Sequence, residues 1–263
     1  MLTVYCVATF SWSWSLWLLA LSSISKDNTL SVQSSVLLLI GNYGPMASAF
    51  LIAVCSSGKP GIRSMFLQLF RGNPTFEWTS VSLFGIIPIL LAADIAYAAL
   101  GGHLPQIDVN ALNPLLPISF ILSLFGPPIG EEFGWRGYAL PELQRHHNAL
   151  TSSIIVGVIW GTWHLPLLAT YQSPDMVGIA ALYLARIAMM SVIFTVVYNN
   201  TGGNLLMPIL LHGSVNTWTT ILAPSSSSAG PLFVLSTIAI AVVTISSLVV
   251  YDTNTLAHIR RKA

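Results

Sequence analysis

Long apolar runs with almost no charge inside them leave this chain few ways to fold. A helix needs about 20 mostly apolar residues to cross a bilayer, and eight stretches meet that need, at roughly residues 2–24, 31–56, 78–100, 115–139, 151–170, 176–198, 203–223 and 231–250. With 54% of residues hydrophobic and 7% charged, no stretch is left for a soluble domain. The expected class is all-α, a polytopic membrane protein of about eight transmembrane helices. The net charge of +1 offers no basic patch for nucleic acid, and Cys6 and Cys55 are too few for a disulfide framework. The first stretch lacks the basic leader of a secretory signal. Its Trp12, Trp14 and Trp17 read as membrane anchors, so it is expected to stay in the mature chain.

The basic residues set an orientation. Lys59, Arg63 and Arg71 lie between the second and third stretches, Arg145 between the fourth and fifth, and Arg260, Arg261 and Lys262 in the tail, all on one side. Only Lys26 falls on the other. Positive charge marks the cytoplasmic side, so both termini are expected there. The segment from Lys59 to Arg71 is either a short helix lying in the interface or a plain basic loop. Pro224 followed by Ser225–Ser228 reads as a linker on the outer side.

Ionisable groups at bilayer depth are costly and mark functional sites by default. Glu131, Glu132 and Arg136 occur in Gly-Glu-Glu-Phe-Gly-Trp-Arg-Gly, His164 in Trp-Gly-Thr-Trp-His, and His212 with Asn216 in His-Gly-Ser-Val-Asn. At ~1.5 Å per residue, Glu131 lies about 10–15 Å from the cytoplasmic end, His212 about 14 Å and His164 about 20 Å, so the groups can meet at one level. Glu132 stands four residues before Arg136, the favoured order for a helical ion pair, and Glu131 points about 100° away from it. His212 and Asn216 share one helical face and present two donors to one point. A carboxylate to deprotonate water, a histidine to hold it and a His/Asn pair for a developing oxyanion make up a general-base peptidase.

The order E-E-x-x-x-R, aromatic-x-x-x-H and H-x-x-x-N, each on its own apolar stretch, resembles the CAAX protease and bacteriocin-processing (CPBP) family of intramembrane glutamic endopeptidases, including type II CAAX prenyl endopeptidases. The resemblance covers residues 115–225. It implies an eight-helix protease enclosing an intramembrane catalytic cavity, with Glu131 activating water, His164 assisting, His212 and Asn216 forming the oxyanion hole, and Glu132 and Arg136 in support. Trp160 stands where phenylalanine is usual, and Trp135 takes the aromatic place before Arg136; both keep an aromatic wall and bear on pocket size.

On this reading residues 1–114 hold the N-terminal helices and the interfacial segment, 115–225 the catalytic core, and 226–263 the last helix and the basic tail. The partners are the lipid bilayer, of a prokaryotic plasma membrane, and a membrane-embedded or lipidated peptide, either prenylated or of the bacteriocin type. No cofactor is required. The alternative is zinc on Glu131, His164 and His212, although no H-E-x-x-H signature is present. A second function class also stands, a non-catalytic scaffold, immunity or transport protein that keeps the polar cluster to fasten helices. Asp94 and Arg186 are expected to pair with each other, with a substrate carboxylate as the other partner for Arg186. His146 and His147 read as a solvated helix end, and Pro127 and Pro128 as a kink serving either water access or packing.

Overall fold

The computed structural model describes residues 1–23, 31–104, 114–168, 175–222 and 229–258. Lys26, the Ser225–Ser228 linker and the basic tail at Arg260, Arg261 and Lys262 lie outside the described residues. In chain order the helices are α1 (Leu2–Ser22), α2 (Val32–Gly41), α3 (Gly44–Leu67), α4 (Phe76–Phe84), α5 (Ile86–Ala99), α6 (Leu116–Leu124), α7 (Pro127–Gly134), α8 (Leu140–Gln144), α9 (Ala149–Trp163), α10 (Leu165–Leu168), α11 (Met176–Asn200), α12 (Leu206–Leu222) and α13 (Ala229–Val250). A 3₁₀ turn, Gln68–Phe70, follows α3, and a π turn, Trp135–Ala139, joins α7 to α8. Among the described residues there is no strand beyond one isolated bridge, Asp252 to Ala257.

The protein is an all-α polytopic membrane protein. Among the described residues three helices, Leu2–Ser22, Met176–Asn200 and Gly230–Val250, are long and apolar enough to cross a membrane alone, and the count is five if the bent pairs α2/α3 (45°) and α4/α5 (41°) are each one span. The remaining apolar stretches, around 115–139, 151–170 and 203–223, are helical but broken or short. Gly126, at φ −92° and ψ −130°, separates α6 from α7. α9 has 15 residues and stops at His164, and α12 has 17. These are the segments that carry the polar motifs. In α7, Glu131, Glu132, Phe133 and Gly134 are all buried. By contrast, Ile238, Val242, Ile245 and Val249 form an exposed apolar stripe on α13 suited to lipid.

Small residues let the site helices approach their neighbours closely. A Cβ on Gly157 would lie 2.6 Å from the Ala188 Cα, and one on Gly161 would lie 2.8 Å from a Leu184 methyl, so α9 is drawn against α11. The tryptophans of α1 do more than anchor. Trp14 Nε1 donates to the Trp163 carbonyl (2.9 Å) and Trp17 Nε1 to the Leu38 carbonyl (3.1 Å). Trp17 is fully buried, and Trp12, which stays exposed, donates to the Ile40 carbonyl at 3.1 Å. An indole carries one N–H that needs an acceptor once buried, and the carbonyls of α2 and α9 supply it.

The Lys59–Arg71 segment is helical rather than a loop: Gly58, at φ 60°, breaks α3, and Pro60 opens the continuation. Its far end reaches the core, where buried Gln68 donates from Nε2 to the Gly137 carbonyl (3.1 Å) and accepts from the Leu205 amide through its own carbonyl (2.8 Å). Exposed His146 and His147 follow α8 beside the exposed pair of Arg145 and Glu142, as a solvated helix end requires.

Candidate active site

The local chain around the glutamates explains their aim. α6 ends at Leu124, and Pro127 occupies the first position of α7, where its missing N–H is harmless and its fixed φ suits the helix. The prolines therefore start a new helix instead of kinking a continuous one. Three residues after Glu132 the helix widens into the π turn that contains Arg136, a distortion common at functional sites.

Glu132 is the centre of a buried network. Arg136 Nη1 donates to both of its oxygens, at 3.1 and 3.0 Å, and His212 Nδ1 lies 2.8 Å from Oε1. Arg136 Nη2 donates to Ser191 Oγ at 3.3 Å. The guanidinium carbon sits 4.5 Å from the Trp160 ring centre and 4.4 Å from that of Phe194. One carboxylate thus binds its own helix, through Arg136, to α12, through His212. The expected pair of Glu132 and Arg136 forms, and Glu132 also reaches His212. Charge-assisted bonds of this kind fix ring orientation.

Glu131 faces elsewhere, as its 100° offset requires. Trp160 Nε1 donates to Glu131 Oε2 at 2.5 Å, and the Trp160 carbonyl accepts from His164 Nδ1 at 2.9 Å. Trp160 also meets His212, with ring centres 5.6 Å apart. Both histidines therefore carry the Nδ1 proton toward a fixed acceptor, a carbonyl for His164 and a carboxylate for His212. Nε2 is the atom left for chemistry in each ring.

A cavity of about 410 Å³ is lined by Trp160, His164, Arg186, His212 and Asn216 among others. Of the four residues singled out for catalysis, His164, His212 and Asn216 line it. Glu131 is buried behind the Trp160 wall, with Oε2 bonded to the indole. Asn216 is exposed at the cavity, one helical turn from His212. The Asp94–Arg186 pair does not form. α5 and α11 both pack on α13, and Arg186 Nη1 is taken up there by Ser236 Oγ (2.6 Å) and Thr237 Oγ1 (3.3 Å).

Among the described residues no group of three His, Cys, Asp or Glu side chains is arranged to hold a metal ion. The bonds at Nδ1 of both histidines and at Oε2 of Glu131 leave Nε2 of each ring and Oε1 of the carboxylate for other partners.

Sequence reasoning did not find the roles of Trp160 and Ser191. The indole N–H of Trp160 is a donor as well as a wall, which its residue type would have allowed. Ser191 carries no such signal, since α11 and α13 hold several hydroxyls at similar depth.

Two comparisons bear on this geometry. The family described as Type II CAAX prenyl endopeptidase Rce1-like matches residues 113–218. A protein of Methanococcus maripaludis named CAAX prenyl protease 2 is 23% identical over 224 residues, which cover 81% of this chain and 82% of that protein. The matched core contains Glu131, His164, His212 and Asn216, so the chain is similar to type II CAAX prenyl endopeptidases over the segment that carries its polar motifs.

Proposed function

We propose that this protein is an intramembrane endopeptidase that hydrolyses a peptide bond in a membrane-embedded or lipidated peptide. Glu131 serves as general base, and its Oε1 takes a proton from a water molecule that His164 Nε2 helps to hold. The water oxygen bonds to the scissile carbonyl carbon, and the carbonyl oxygen becomes an oxyanion. His212, protonated at both nitrogens, donates Nδ1–H to Glu132 and Nε2–H to that oxyanion, and Asn216 supplies the second donor from its amide. The carbon–nitrogen bond then breaks as the proton held by Glu131 passes to the leaving nitrogen. Preorganised donors of this kind act strongly where water is scarce.

One observation carries the reading: side chains from separate motifs, His164, His212 and Asn216, line one cavity whose Trp160 wall is bonded at 2.5 Å to Glu131. The Glu132–Arg136–His212 network supports the second role, holding the imidazole. The basic stretch from Lys59 to Arg71 and Arg145 mark the proposed cytoplasmic face. The name of the Methanococcus maripaludis relative makes a prenylated CAAX-type peptide the first substrate to try.

The test is mass spectrometry of such peptides after incubation with the reconstituted protein. Hydrolysis predicts two fragments whose masses sum to the substrate plus one water. An intact substrate across a broad panel of lipidated and hydrophobic peptides, with a folded protein, favours the scaffold reading instead.

A further inference from the structure

Arg186 is the charged side chain of the cavity to which the proposed reaction gives no task. On α11 the residues Tyr183, Arg186, Ile187, Met190 and Phe194 recur at helical spacing and line the cavity with one face. Two hydroxyls of α13 hold a single nitrogen, Nη1, at 2.6 and 3.3 Å. The Phe233 ring centre lies 4.9 Å from the guanidinium carbon. Hydroxyls and a ring orient the group without neutralising it. Among the described residues no carboxylate pairs with Arg186, and no hydrogen bond from Nε or Nη2 is recorded.

A guanidinium stays charged and presents a planar fork of donors that matches a carboxylate. Leaving such a charge unpaired at bilayer depth is costly, so an anion supplied from the cavity would be strongly favoured. The spacing suits a peptide end. Phe194 packs against His212, with ring centres 6.0 Å apart. Arg186 lies eight residues earlier on the same helix, about 12 Å along its axis. An extended chain covers that distance in about three to four residues.

We propose that Arg186 is a specificity-determining residue that binds the C-terminal carboxylate of the peptide through its guanidinium. This inference rests on the protease reading and is tested by binding as well as by cleavage. The probes are a hydrophobic tripeptide as its free acid and as its C-terminal amide, titrated calorimetrically into the purified full-length protein. Longer peptides with the same two ends are assayed for hydrolysis.

Wild type is expected to bind the acid about tenfold or more tightly than the amide, the scale of a charge-assisted hydrogen bond. Arg186→Gln should bring that ratio close to one. Arg186→Lys keeps the charge but not the fork, and should retain a reduced preference even if the glutamine variant fails to fold. Equal binding of acid and amide by wild type, or an undiminished preference in either variant, overturns the assignment. If the binding preference is present and lost as described while no peptide is cut, the Arg186 role stands and the protease reading falls. If peptides are cut at equal rates whichever end they carry, the reverse holds.

Discussion

The indole Nε1 of Trp160 donates a 2.5 Å hydrogen bond to Oε2 of Glu131. It joins the carboxylate of α7 to the helix that ends at His164, whose Nδ1 donates back to the Trp160 carbonyl at 2.9 Å. A single residue thereby sets the spacing between the proposed base and the histidine that assists it. Trp160→Phe keeps a ring and removes the N–H. Turnover is expected to fall about tenfold, the scale of one bond to a charged group, with a lowered thermal midpoint because a buried carboxylate loses its donor and a buried ring shrinks. Substrates with larger side chains beside the scissile bond should suffer least, because phenylalanine frees volume. A fall as deep as that of Glu131→Gln would instead place the indole in the chemistry.

Glu132 is predicted to matter first for stability. It is fully buried between Arg136 and His212, and removing one partner of a buried ion pair typically costs about 3–5 kcal/mol. Glu132→Ala should lower the thermal midpoint sharply in detergent. Glu132→Gln combined with Arg136→Met should recover part of the loss that Glu132→Gln causes alone, because no unpaired guanidinium then remains. Independent, additive effects in that double-mutant cycle would contradict the network.

Asn216 gives the cleaner catalytic test because it is exposed at the cavity. Asn216→Ala should change stability by less than about 0.5 kcal/mol, as surface substitutions usually do. Its turnover should drop roughly 10²–10³-fold, the measured scale for one oxyanion donor. Single-turnover kinetics alongside a thermal melt would separate the two.

Chelation should have no effect. The proposed reaction routes no step through a metal, so prolonged treatment with EDTA or phenanthroline is expected to leave hydrolysis unchanged. Loss of activity restored by added zinc would instead assign a metal to Glu131, His164 and His212.

Much of this arrangement was legible in the sequence because helical spacing is rigid. Glu132 and Arg136, four apart, pair as the helix dictates, and the 100° step turns Glu131 toward a different helix. The helical class followed from the apolar runs. The span count did not, because Gly126 and Pro127 divide one run and α9 stops at His164; hydropathy averages over such breaks. The bond between His212 and Glu132 joins residues 80 positions apart, and the hydroxyls of α13 that take up Arg186 are 50 and 51 away. No local periodicity encodes which helices become neighbours, so the expectation for Asp94 and Arg186 failed where that for Glu132 and Arg136 held.

The central claim is that Glu131 deprotonates the attacking water. It is tested most directly by single-turnover hydrolysis of a prenylated C-terminal peptide, comparing wild type with Glu131→Gln in the same liposomes at matched thermal midpoint. The account predicts a loss of roughly 10²–10⁴-fold for the glutamine variant, the range for removing a general base, with the substrate still bound. Hydrolysis by Glu131→Gln at a rate near that of wild type would contradict it.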